Sequence, residues 1–147
     1  MSATDTPQNL IDEARAKIKA VLEVKYPSSV DFGDGSFAVP YGSSSVAIVV
    51  REYTKTDTMV ELMAQVVSGG TIDAEVTKWL LRKNAELHFG AFGLLFDDTI
   101  IFTYSLPGTC LESQELESAI NSVSIIADYY DDELIKMVGG KRVADLA

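Results

Sequence analysis

Apolar residues at three- and four-residue spacing run through residues 7–25, where Leu10, Ile11, Ala14, Ile18, Val21 and Leu22 share one stripe that ends at Lys25. That spacing predicts an amphipathic helix, with Thr6 as cap, Pro7 at the first helical position and Pro27 as its stop. After a glycine-containing loop (31–36) the pattern shortens to strand spacing. Residues 37–41 form the first strand, and Pro40 restricts it to a sheet edge or a bulge. Residues 46–53 form a β-branched second strand across a polar turn at 42–45. The third strand, 59–67, alternates: Val60, Leu62, Ala64 and Val66 line one face, while Met59, Glu61, Met63, Gln65 and Val67 line a mixed one. Gly69-Gly70 breaks it.

A second helix is expected over 73–87, capped by Thr71 or Asp73. Its stripe is Val76, Leu80, Asn84 and Leu87, flanked by Trp79 and Leu81. An asparagine among apolar neighbours should spend its amide on nearby backbone. Residues 91–106 read as a hairpin across Asp97-Asp98. A two-residue loop would pair Leu95 with Ile100, Gly93 with Phe102 and Ala91 with Tyr104. Phe92, Leu94, Phe96 and Ile101 would then share the opposite face, so both faces would be apolar and the second would need a lid, a subunit or a client. A longer loop would shift the register and restore simple alternation. A long helix, 113–138, follows with the stripe Leu116, Ala119, Ile120, Val123, Ala127, Tyr130, Leu134 and Met137, and Gly139-Gly140 ends it. Residues 1–6 and 141–147 are expected to be loose tails.

The totals narrow the function. A chain of 147 residues with 47% hydrophobic content suits one domain with a real core. One cysteine excludes an internal disulfide framework, and the polar first eight residues lack the build of a signal peptide, so a cytoplasmic protein is expected. Net charge is −10, and from Asn84 to Ile135 ten acids stand without one Lys or Arg. A field of that sign disfavours nucleic acid and anionic membranes and favours a basic partner segment. Simple solubility explains it too.

Chemistry is sparse. His88 and Cys110 are the chain's only histidine and cysteine, with no orienting third group and no zinc spacing, so neither catalysis nor a metal site is expected. Asp31-Phe32-Gly33 lacks every other part of a kinase, and the glycines of His88-Phe89-Gly90-Ala91-Phe92-Gly93 open a strand where a phosphate cradle would need a helix. Asp128, Asp131 and Asp132 lie within one helical turn and read as a solvated acidic face. Met59 and Met63 serve equally as core fillers or as an adaptable binding surface.

The run WLLRKNAELHFGAFGLLFDDTIIFTYSLP followed by LESAINSVSIIADYYDDEL resembles the YbjN family, and the element order is similar to the class I type III secretion chaperones. Asn84, Phe89 to Phe92 and Ala127 to Tyr129 carry the match. The N-terminal half agrees in element order and in PYGSSSVAIVV. The resemblance implies no cofactor and no catalytic residue. It implies a small acidic protein-binding module, often a homodimer, over whose apolar patches and sheet edges partner chains lie extended. The expected fold is α+β, α-β-β-β-α-β-β-α, a five-stranded antiparallel sheet with the first and third helices on one face. The expected function is non-catalytic protein or peptide binding through Phe92, Leu94, Phe96 and Met63, the edge strand from Phe37 to Tyr41, and Asp128, Asp131 and Asp132. A structural subunit of a stable complex is the alternative, and a small-molecule or metal-dependent enzyme ranks third.

Overall fold

The computed structural model describes residues 5–146. The remaining residues of the expected tails, 1–4 and 147, lie outside those described. In chain order the elements are α1 (Gln8–Lys25), β1 (Val30–Asp31), β2 (Ser36–Tyr41), β3 (Ser44–Glu52) and β4 (Thr58–Ser68). There follow α2 (Ala74–Glu86), β5 (Ala91–Leu94), β6 (Ile100–Pro107), α3 (Ser113–Val138), β7 (Lys141–Arg142) and a 3₁₀ turn (Val143–Leu146). All strand pairings are antiparallel, in the order β1-β2-β3-β4-β6-β5, with β7 on β4. The five expected strands are there; the two added ones, β1 and β7, are two residues each.

α1 and α3 pack on one face of the sheet because their stripes and the inward strand residues form a common core. Ile18 and Leu22 of α1 and Leu116, Ile120 and Leu134 of α3 are buried with Val46, Ile48, Val60, Leu62 and Phe102. Pro40 of β2 lies beyond the reach of β1, which pairs only with Phe37 and Ala38, so its missing N–H faces no strand. A bulge between Gln65 and Val67 turns both Val66 and Val67 inward, where strict alternation had put Val67 on the mixed face. The opposite sheet face is mixed, carrying Ala38, Ala47, Gln65 and Thr103 together with Val49, Met63 and Ile101.

Several local expectations change. Thr6 does not cap α1: its hydroxyl donates to the Thr54 carbonyl at 2.7 Å and accepts from the Tyr53 amide at 2.9 Å, pinning the helix start to the β3–β4 turn. Asp73 caps α2 through the Val76 amide, as expected, whereas Leu81 is exposed and adds nothing to the core. Residues 141–142 pair with Ser68 and Val67 of β4, so this part of the expected tail is tied into the sheet.

The largest correction is the hairpin. Its turn closes with the Leu95 amide bonded to the Thr99 carbonyl and the Asp98 amide to the Leu95 carbonyl, and Asp98 takes a left-handed φ of 64°. Three residues, Phe96 to Asp98, thus form the loop, a turn followed by a left-handed bulge residue. Phe92 then pairs with Phe102 and Gly93 with Ile101, one residue off the two-residue register. Phe92 enters the core, 5.0 Å from Phe102 edge to face. The doubly apolar hairpin does not form.

Candidate binding groove

The corrected register scatters the residues expected to share a surface. Phe92 is buried, Leu94 is half exposed at the end of β5, and Phe96 is fully exposed at the loop tip. Met63 is half buried on the opposite sheet face. On β2, Phe37 is buried under the helices, while Tyr41 is exposed at the strand's end.

Of the three aspartates only Asp132 is solvent-exposed, so they do not form one solvated face. Asp128 accepts the Ser43 amide at 2.9 Å, and the Ser43 hydroxyl contacts both Asp128 and Asp131. Asp131 is buried, and Arg142 lies beside it while bonding Asp132 at 2.5 Å. The cluster therefore fastens the β2–β3 turn and β7 to α3. The Ser43 hydroxyl and amide, with Arg142 nearby, hold the Asp128 carboxyl below its usual value. A lowered value means this contribution is intact above the unfolded carboxylate range near ~3.9 and fades as pH falls through the folded value. Asp128→Asn should accordingly cost about 1 kcal/mol at neutral pH, and urea melts at successively lower pH should show the gap to wild type closing below about pH 4. A gap that stays constant with pH would remove the charge from the account.

The prominent depression lies elsewhere, between the outer flank of α3, the C-terminal half of β6 and the α2–β5 connection. This groove, of about 740 Å³, is lined by Leu87, His88 and Phe89, by Tyr104 and Leu106, and by α3 from Gln114 to Ile126. On α3 the repeat Ser118, Ser122, Ile125 puts small hydroxyls and one half-exposed isoleucine along the same side, so this wall is low and mixed, while Leu87, Phe89, Tyr104 and Leu106 supply most of the apolar lining. Gly90 sets the other wall. Its φ is 93°, and a Cβ there would stand 2.6 Å from both the Phe102 ring and the Thr103 carbonyl, so only glycine lets the chain turn tightly enough. The turn leaves Phe89 exposed and stacked on Tyr104, with ring centroids 6.1 Å apart.

Beside the groove the sheet has an open backbone edge. β5 pairs with β6 only from Ile100 to Thr103, and among the described residues no strand covers Tyr104 to Pro107 on that side. The direction of the backbone groups follows from Asn84, whose side chain accepts the Phe92 amide at 2.7 Å and donates to the Phe92 carbonyl at 3.1 Å. Both Phe92 groups thus point away from β6. By strand alternation Ile101 and Thr103 aim theirs at β5, and Ser105 aims its N–H and C=O at the open edge. Pro107 adds a carbonyl and no donor, which keeps the open stretch short.

His88 sits on the groove wall, and Cys110 is exposed in the loop before α3, outside that wall. Glu115 is the one carboxylate among the lining residues, and none of them is Lys or Arg. Sequence periodicity singled out Asn84 but missed Phe89, Tyr104, Leu106 and Ile125. For Ile125 a signal existed: with Tyr129 four residues on, it starts a second apolar line beside the core stripe.

No helix among the described residues is long and apolar enough to cross a membrane. No curated protein matches the chain. A family model described as T3SS (YopN, CesT) and YbjN peptide-binding chaperone 1 matches residues 12–146, and with three helices against an antiparallel sheet the chain belongs to that family, TY-Chap1.

Proposed function

We propose that the chain is a non-catalytic peptide-binding chaperone whose client lies extended in the groove between α3 and β6. One observation carries this reading: an apolar groove runs beside an unpaired strand edge, so a client could bond Ser105 through its backbone and place alternate side chains against Phe89, Tyr104 and Ile125. Backbone bonding supplies affinity without demanding a sequence, and the groove supplies the preference. The absence of Lys and Arg from the lining, within a stretch of sequence carrying ten acids and no Lys or Arg, supports a client of neutral or basic character over an acidic one. The same charge argues against nucleic acid and anionic membranes as partners. An exposed, unpaired Cys110 is in keeping with action in a reducing cytoplasm.

A homodimer belongs to this reading as well. Leu81 on α2 and Tyr129 on α3 are 65% and 73% exposed, large apolar groups whose shielding a second copy would provide.

Ile125→Asp is the direct test. The side chain is half exposed, so the fold should tolerate the change while a charge stands in the client's path. On an array of immobilised twelve-residue peptides of varied composition, capture should fall by about tenfold or more with circular dichroism unchanged. Unchanged capture would remove the groove from the function.

A further inference from the structure

A second groove of about 720 Å³ runs between α1 and the start of α3, floored by Ala20, Val21, Val24, Leu111 and Leu116. Val24 is 76% exposed, the most open large aliphatic side chain on α1. Gln114, in the first turn of α3, lines both this groove and the one beside β6. The two depressions therefore meet at one side chain, on opposite flanks of the same helix. Their electrostatics differ. The β6 groove holds Glu115 and His88 but no Lys or Arg, whereas the α1 groove sets Lys17 and Lys25 on its α1 wall against Glu112 and Glu117 on its α3 wall.

Building on the peptide-binding reading, we infer that one client segment occupies both grooves, crossing α3 at Gln114 with its acid-tolerant half against α1 and its neutral or basic half against β6. The dimensions suit a short segment. The β6 groove follows α3 from Gln114 to Ile126, about 18 Å of helix, and the α1 groove follows Lys17 to Lys25, about 12 Å. With the ~10 Å width of α3 to cross between them, at about 3.3 Å per extended residue some twelve residues cover both. The charges select the order along the path. An acidic residue placed against α1 meets Lys25, and Lys17 nearby, whose ammonium also donates to the Thr109 carbonyl at 3.0 Å, so that these two cations balance Glu112 and Glu117 across the groove. The same residue placed against β6 meets Glu115 with no Lys or Arg on the wall. The Tyr26 hydroxyl donates to Asn121 at 3.0 Å and ties the end of α1 to α3 at the far end of the α1 groove, about two turns from the junction.

Joining two weak sites by a short tether raises affinity through effective concentration, provided that the tether can span them. The test uses twelve-residue peptides selected by the wild-type protein from a random library, together with their synthetic six-residue halves, in fluorescence anisotropy titrations. The full peptides should bind about a hundredfold more tightly than either half. Val24→Asp should weaken the full peptide and one half, and Ile125→Asp the full peptide and the other half. Gln114→Trp, an exposed position at the junction, should weaken the full peptide by about tenfold more than it weakens either half. Full peptides that bind no better than their stronger half, or that ignore both Val24→Asp and Gln114→Trp while still responding to Ile125→Asp, would overturn the two-groove path and leave the single-groove function standing. Binding indifferent to Ile125→Asp as well would overturn both.

Discussion

Phe102→Ala should destabilise the protein by about 3–5 kcal/mol, the range for emptying a fully buried aromatic site. Phe102 has no exposed surface, and it lies at the crossing of three constraints. In β6 it pairs with Ala64 of β4 on one side and Phe92 of β5 on the other. Its ring meets Phe92 edge to face and fills the space that a Cβ on Gly90 would otherwise enter. Phe92 in turn contacts Trp79 of α2 and Tyr130 of α3 at centroid distances of 5.8 and 5.9 Å, so the cavity would open under an aromatic cluster joining two helices to the sheet. Rigid rings held from several sides cannot collapse into the gap, which puts the cost toward the upper end. Urea unfolding should show a lower midpoint with an unchanged slope, and Phe102→Leu should recover more than half of the loss. A loss under about 1 kcal/mol would mean that the cluster repacks freely and that the hairpin register is not fixed by this pair.

The same pair shows how far the sequence could be read. The periodicity of α3 gave its bounds, because a stripe of eight apolar residues and a double-glycine stop leave little choice. The β4 pattern held through Val66, and only the bulge, which depends on how β6 sits against β4, put Val67 inside. The hairpin failed by one residue because Asp97-Asp98 fits two loops. A two-residue turn needs positive φ at both central residues (type I′) or at the first, where glycine is favoured (type II′), whereas the three-residue loop needs it at one, Asp98. One residue of register decides which face every side chain of β5 takes, so Phe92 moved from a proposed surface to the core. The site was less legible than the fold for a related reason. An open strand edge is a relation between a short strand and a long one, and nothing in the composition of residues 104–107 announces it. The acidic triad shows the opposite limit: its spacing on one helical turn was plain, but its use depends on Ser43 and Arg142, which are remote in sequence. The ten acids of the stretch without Lys or Arg therefore do not all face a partner.

Asn84→Leu should cost about 2–4 kcal/mol, the expense of leaving a backbone donor and an acceptor unpaired at a largely shielded edge. The side chain of Asn84 does for the outer edge of β5 what a neighbouring strand would do, taking the Phe92 amide and supplying its carbonyl. Leucine keeps the volume and removes both bonds, so the loss measures polar satisfaction and not packing. Asn84→Asp separates the two halves: a carboxylate still accepts the amide but repels the carbonyl, and its stability should lie between leucine and wild type or below both if repulsion wins. Hydrogen exchange gives the local readout. The Phe92 amide should be protected in wild type and in the aspartate variant, and should exchange faster in the leucine variant well before global unfolding. Because β5 begins directly after the Phe89-Gly90 turn, loosening it should also free Phe89 from Tyr104 and weaken peptide capture in the β6 groove. Equal stability, with the Phe92 amide still protected in the leucine variant, would show that water serves this edge as well as asparagine does.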